Sequence, residues 1–335
     1  MKNYHFLLIV FLLASCAQVP AIAATQTLDI IPPSPMKQNI SPIETALTSA
    51  NFDISGRILV YTPDAVYLAN SDGTFPVSIH TIEAPLSMMS LSPNGTKFAY
   101  FTGNLLYVKD IVTGKVSTLN QEIMGSIGGQ LKYSPDGKKI ALACSTPTEP
   151  TTSICLINES GNIESLIKEE DIADEESHLG YFVELQDWSR DGSKLVFTHY
   201  TPSEKGQKQD FSIYSYDIVS KTTQLILDGK KQKMIFQVRE VSISPDNKTL
   251  LISGIGENSL SQIFVLNMDT SIVVQLQLQQ VPDASLANPV WSGDSCCFYL
   301  HVEQDDLYQY TVIADLTRNI MWVVNIQGSV IQWVR

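Results

Sequence analysis

From about residue 50 onward the chain is written in short apolar runs of four to eight residues, rich in Val, Ile, Leu, Tyr and Phe and cut by Gly, Pro, Asn, Asp and Ser. Such runs predict β-strands, and no stretch sustains the 3.6-residue period of a helix. They come in fours. "GQLKYS", "KKIALACS", "SICLINES" and "IESLIK" form one set, and "FVELQDWS", "SKLVFTHY", "FSIYSYDI" and "TTQLIL" form the next.

Between the first and second run of each set stands a recurring signal. "SLSPNGTKFAYF" at Ser90, "KYSPDGKKIALA" at Lys132, "DWSRDGSKLVFT" at Asp187, "SISPDNKTLLIS" at Ser242 and "VWSGDSCCFYLH" at Val290 share an apolar residue, Ser, a turn residue, Asp or Asn, and a strand. The anchoring serines Ser92, Ser134, Ser189, Ser244 and Ser292 are 42, 55, 55 and 48 residues apart, a period that marks an array of supersecondary units. Pro presets φ, Asp or Asn tolerates the turn interior, and Gly supplies a positive φ, so each motif reads as a tight turn between two strands. Turn geometry accounts for these Ser and Asp residues without catalysis. The sequons at Asn94 and Asn247 fall in the same turns.

Four strands per 40 to 55 residues make the blade of a β-propeller. Three strands, "RILVYT", "AVYLANSD" and "FPVSIHTI", precede the first motif; four full units start near Met88, Gly129, Phe182 and Gln237, and a last one near Asn288 leaves "SVIQWVR" over. The first blade lacks its innermost strand and the chain ends with a spare one. The expected fold is therefore all-β: a six-bladed propeller of four-stranded blades, residues 51–335, closed by the C-terminal strand. At this point the runs "SPNGTKFAYF", "SPDGKKIALA" and "SRDGSKLVFT", with the strands that follow, resemble the PD-type, WD-like (PD40) repeats of TolB-like propellers. The resemblance implies the fold and leaves the function open, because this repeat serves binding proteins, peptidase domains and enzymes alike. TolB carries an α/β domain ahead of its propeller that has no counterpart here, so a role in the Tol system does not carry over. Asp and Gly are adjacent in the motif, unlike those of a sialidase Asp-box.

The N-terminus is of another kind. "FLLIVFLLA" at residues 6–14 follows Lys2 and has the length of a signal-peptide core, too short to span a bilayer as a helix. "LASC" ends it and resembles the lipobox of bacterial lipoproteins, which implies cleavage after residue 15 and acylation of Cys16. "AIA" at Ala21 to Ala23 is the rival site and would release a soluble, secreted or periplasmic form. Residues 16–50 carry five prolines and no clean period, and are expected to form a disordered tether. At about 3 Å per residue such an arm reaches roughly 100 Å from a membrane.

A net charge of −13 argues against a nucleic-acid partner. Five cysteines without a CxxC and five scattered histidines predict no metal site, and nothing calls for a cofactor. GxSxG, HExxH and GxxxxGK[ST] are absent from the sequence, so no catalytic residue is named. Candidate ligand contacts sit instead on charged loops of one face: acidic Glu169, Glu170 and Asp171, and basic Lys205, Lys208, Lys230 and Lys231. Cys144 and Cys155 flank a hairpin around "TPTEPTT", and pairing Leu142 with Leu156 or Ile157 predicts a disulfide between them. Cys296 and Cys297, neighbours on a strand, are expected to point apart. The expected function is a monomeric, membrane-tethered propeller of the cell envelope that binds a protein, peptide or glycan; the alternative is a hydrolase or lyase at the channel mouth.

Overall fold

The computed structural model describes residues 26–31, 56–120, 129–145, 152–168, 172, 182–200, 210–257, 260–278, 284–305, 308–316, 320–324, 326 and 328–334. Cys16, Glu169, Glu170, Asp171, Lys205 and Lys208 lie outside them. Among the described residues all regular structure is β-strand.

Six four-stranded antiparallel blades are present. Blade 1 joins β2 (Arg57–Tyr61), β3 (Ala65–Asn70) and β4 (Val77–Thr81) to the last strand, β25 (Ser329–Val334), which lies innermost beside β2, with Leu59 opposite Gln332. This closes the ring as expected. Blade 2 is β5 (Leu86–Leu91), β6 (Lys97–Thr102), β7 (Leu105–Asp110) and β8 (Val116–Asn120). Blade 3 is β9 (Lys132–Tyr133), β10 (Lys139–Cys144), β11 (Ser153–Asn158) and β12 (Ile163–Lys168). Blade 4 is β13 (Phe182–Trp188), β14 (Lys194–Tyr200), β15 (Phe211–Asp217) and β16 (Thr222–Asp228). Blade 5 is β17 (Ile235–Ile243), β18 (Thr249–Gly256), β19 (Ser261–Asn267) and β20 (Val273–Leu278). Blade 6 is β21 (Ser285–Trp291), β22 (Cys297–Asp305), β23 (Tyr308–Asp315) and β24 (Ile320–Val324).

The core is distributed over the blade interfaces. Six apolar clusters each span two adjacent blades; the one between blades 6 and 1 joins Tyr299 and Ile313 to Ile58 and Val330, and that between blades 1 and 2 joins Leu59 and Leu68 to Leu91 and Phe98. A strand with a neighbouring blade on each side is buried on both faces. For this reason the second strands are unbroken apolar runs, as in "KFAYFT" and "KIALAC", while β16 on the outer edge leaves its first four residues exposed. Fully burying one such Phe or Leu contributes about 1.5–3 kcal/mol.

The five repeat turns share one geometry. The Ser hydroxyl donates to the Asp or Asn carboxyl or amide oxygen two residues on (2.5–2.8 Å) and accepts the backbone N–H five residues on (2.8–3.1 Å). The fourth turn position takes a positive φ of 60–78°, by Gly95, Gly137 and Gly192 without strain and by Asn247 and Ser295 in the other two. The structural reading of these serines and aspartates holds.

Three expectations need correction. Within the stretch expected to be disordered, β1 (Gln26–Ile31) pairs in parallel with β20 through Gln26–Leu28 and with β24 through Asp29–Ile31, bridging the outer edges of blades 5 and 6. The open outer edges of two blades offer the unpaired N–H and C=O groups that an aliphatic segment such as "QTLDII" can complete. The β10–β11 hairpin is shifted from both predicted registers, by one residue from Leu142 opposite Leu156 and by two from Leu142 opposite Ile157: Leu142 faces Cys155 and Cys144 faces Ser153. Cys144 and Cys155 are therefore diagonal on one face, with Cα atoms 6.0 Å apart and their sulfurs in bonding contact. Third, Cys296 and Cys297 bring their sulfurs together instead of pointing apart. β22 begins only at Cys297, and Cys296 still belongs to the turn that follows Ser295 at φ 62°, so strand alternation does not govern the pair.

Candidate functional site

The innermost strands surround a channel whose cavity of about 560 Å³ is lined from all six blades, a size within the usual range for small-molecule sites. Its two mouths differ. One is ringed by the repeat turns through Pro93, Pro135, Arg190, Pro245 and Gly293. Arg190, standing where three other repeats have Pro, reaches from blade 4 to blade 6 and donates to the Gly293 carbonyl there. Gly293 leaves room for this contact: a Cβ there would come within 3.0 Å of Arg190 Nη1 and 3.4 Å of Trp333 Nε1. Arg190 and Trp333 thus bar part of the turn-side mouth. The other mouth lies where the channel strands begin, on the side of the loops that link blade to blade.

The wall between the mouths is built at one repeat position. Two residues before each anchoring serine stand Ser90, Lys132, Asp187, Ser242 and Val290, and Gln332 takes the sixth place from β25. Most of these side chains join one blade to the next. Gln332 accepts at Oε1 from Leu91 N (2.9 Å) and Ser90 Oγ (3.2 Å) and donates from Nε2 to Leu91 O (3.0 Å). Ser90 Oγ accepts from Tyr133 N (3.1 Å), and Lys132 Nζ pairs with Asp187 Oδ1 (3.2 Å). Asp187 Oδ1 also accepts from Trp188 N (3.0 Å), and Oδ2 accepts from Ser242 Oγ (3.2 Å) and Ile243 N (3.0 Å). Gln186 Oε1 accepts from Val241 N (2.9 Å), Trp291 Nε1 donates to Ser242 O (3.1 Å), and Tyr299 of blade 6 donates to Ser71 O of blade 1.

Toward the loop side the strands depart from regularity. β5, β13, β17, β21 and β25 each pair through a bulge, a feature that re-aims side chains beside binding sites. The bulge in β21 sets Asn288 at φ 50°. Its backbone N–H donates to Glu240 Oε2, which also accepts from Ser253 Oγ (3.2 Å). Burial pushes the Glu240 carboxyl above the usual glutamate range, against the pull of these hydrogen bonds, and burial does the same to Glu184 in blade 4.

The loop residues singled out from sequence stand elsewhere. Lys230 and Lys231 are exposed between β16 and β17, where Asp228 accepts the Lys230 N–H (2.9 Å) and pairs with Lys231 Nζ (3.0 Å). Neither lysine lines the channel. Lys132, Asp187, Arg190, Glu240 and Asn288, which do, carry the polar chemistry of the cavity, and sequence reasoning passed over them. The available signal was variation at a fixed repeat position.

No protein-family model matches the chain, and no curated protein sequence does. Among solved structures it is similar to TolB from Acinetobacter baumannii, with a TM-score of 0.60 and 19% identity over 84% of this chain and 67% of that one. It is similar also to a putative TolB from Agrobacterium tumefaciens, with a TM-score of 0.58 and 16% identity over 83% and 93% of the two chains. One structure from a study of two prolyl endopeptidases aligns with a TM-score of 0.51 and 15% identity over 82% of this chain and 49% of that one. At these identities the likeness is one of fold: a TolB-like six-bladed propeller.

Proposed function

We propose that the chain is an extracytoplasmic binding or scaffold protein, held to a membrane of the cell envelope by a lipid on Cys16, that presents the loop-side mouth of its channel to an envelope protein, peptide or glycan. The observation that carries this reading is the polarity of the channel. Arg190 and Trp333 narrow the turn-side mouth, whereas the bulged strands β17 and β21 deliver Glu240 and Asn288, and the segment leading into β9 delivers Gln130, to the wall on the other side. The ring below is stitched by inter-blade hydrogen bonds, which gives a ligand a preorganised wall and lowers the ordering cost of binding.

A hydrolase or lyase reading draws on one feature, the meeting of Lys132, Asp187 and Glu240 in a single cavity. It is the weaker one, because both oxygens of Asp187 already accept two partners each, leaving no lone pair for a base or nucleophile.

Site-specific photo-crosslinking in native membranes tests the proposal. A crosslinker at Ser87, exposed in the loop-side wall, should capture a defined partner, and one at Lys138, exposed on a repeat turn, should not. Capture from Lys138 alone would overturn the assignment.

A further inference from the structure

Resting on the loop-side mouth as the binding face, we propose that the channel there binds the neutral, hydroxyl-rich end of a glycan through Gln130, Asn288, Glu240 and Lys132. Ser90, Gln186, Asp187 and Gln332 are committed to joining blades. By contrast, the side-chain amides of Gln130 and Asn288 make no hydrogen bond among the described residues, although both residues line the cavity and are half-buried. Glu240 uses Oε2 alone, and Lys132 uses one of its three N–H donors, on Asp187.

The unspent set therefore contains donors and acceptors side by side: two amides that are both, an ammonium that donates and a carboxyl oxygen that accepts. A hydroxyl combines donor and acceptor at one freely rotating atom, so a set of ring hydroxyls matches this mixed wall, whereas a peptide amide holds its donor and acceptor in fixed, opposed directions. Charge points the same way. The Lys132 ammonium is matched by Asp187, and Glu240 sits where burial disfavours its charge. An anionic ligand would meet Asp187 and Glu240, and a cationic one would meet Lys132; a neutral polyol meets neither penalty.

The test is saturation-transfer NMR on the full mature protein with separate samples of cellobiose, maltose, N,N′-diacetylchitobiose, glucuronic acid and triglycine. Transfer from at least one neutral sugar is expected, with affinity reduced about tenfold in Gln130→Ala and in Asn288→Ala and unchanged in Lys138→Ala. Both target side chains are uncommitted, but Ala is strained at the φ of 50° that Asn288 adopts, so Asn288→Gly, which removes the amide and keeps that backbone, is measured beside Asn288→Ala, with a melting curve of each variant to separate folding from binding. Transfer from glucuronic acid or triglycine alone, or from no probe, would overturn the proposal, as would neutral-sugar binding that survives both substitutions. If the Ser87 crosslinker still captures a partner in those cases, the loop-side mouth stands and only the ligand class falls; if it captures none, the wider reading fails as well.

Discussion

Replacing Gln332 by Ala perturbs the ring where the C-terminal strand closes it. The side chain makes three hydrogen bonds to blade 2, two of them to the backbone N–H and C=O of Leu91, a residue with no exposed surface. Each such bond contributes a net 0.5–1.5 kcal/mol or so, and a buried backbone group left unpaired costs about 1–3 kcal/mol, partly recovered by water in the channel. The expected loss is about 2–4 kcal/mol, or a fall of roughly 3–7 °C in melting temperature for a domain of this size. Gln332→Glu keeps an acceptor for Leu91 N but sets its second oxygen against Leu91 O, so its loss should be largest while the carboxylate is ionised and shrink at acidic pH, where a protonated carboxyl donates to Leu91 O. Urea unfolding followed by tryptophan fluorescence, paired with calorimetry, measures both. A loss below about 0.5 kcal/mol for the alanine variant, the level of an ordinary surface substitution, would refute the stitched ring.

Other outcomes follow from the same structure. Ser244→Ala removes the hydroxyl that accepts from Thr249 N and donates to Asp246, and should cost about 1–2 kcal/mol in urea unfolding. Burial raises the Glu240 carboxyl above its ordinary value of 4.5, so the folded chain binds that proton more tightly than the unfolded one, and stability falls as pH rises from 4.5 through the raised value. Glu240→Gln should therefore flatten this decline in a series of melting curves, and an unchanged slope would contradict the burial argument. Thiol counting on the unfolded, non-reduced mature protein should find Cys144 and Cys155 blocked by their mutual disulfide, with free thiols at both as the contrary result. Metabolic labelling with a fatty-acid analogue should mark the protein and be lost in Cys16→Ser; a mature form beginning at Ala24 would show that the anchor does not form.

The blades were legible because their signals are local. A Ser, an Asp or Asn two residues on and a positive-φ position close the same turn five times, and doubly covered second strands announce themselves as unbroken apolar runs. The channel chemistry was less so. Lys132 and Asp187 stand inside the quoted motifs, but they belong to different blades and meet only once the ring closes. Charged loops such as "DGKKQK" drew attention instead, though Lys231 there serves its own turn by pairing with Asp228. The error in the β10–β11 register has a similar origin: eight residues separate the end of β10 from the start of β11, too many for a two-residue turn to set their pairing. β1 escaped because its partners, β20 and β24, lie some 250 to 290 residues away in sequence.

Hydrogen exchange measured by mass spectrometry, on the mature protein with and without its crosslinked envelope partner, tests the central claim most directly, because it reads every blade at once. Binding at the loop-side mouth predicts added protection in peptides covering residues 86–90, 129–133 and 284–290, where the channel strands begin, with the repeat turns at 134–138 and 244–248 unchanged. Protection confined to those turns would place the partner on the face barred by Arg190 and contradict the account.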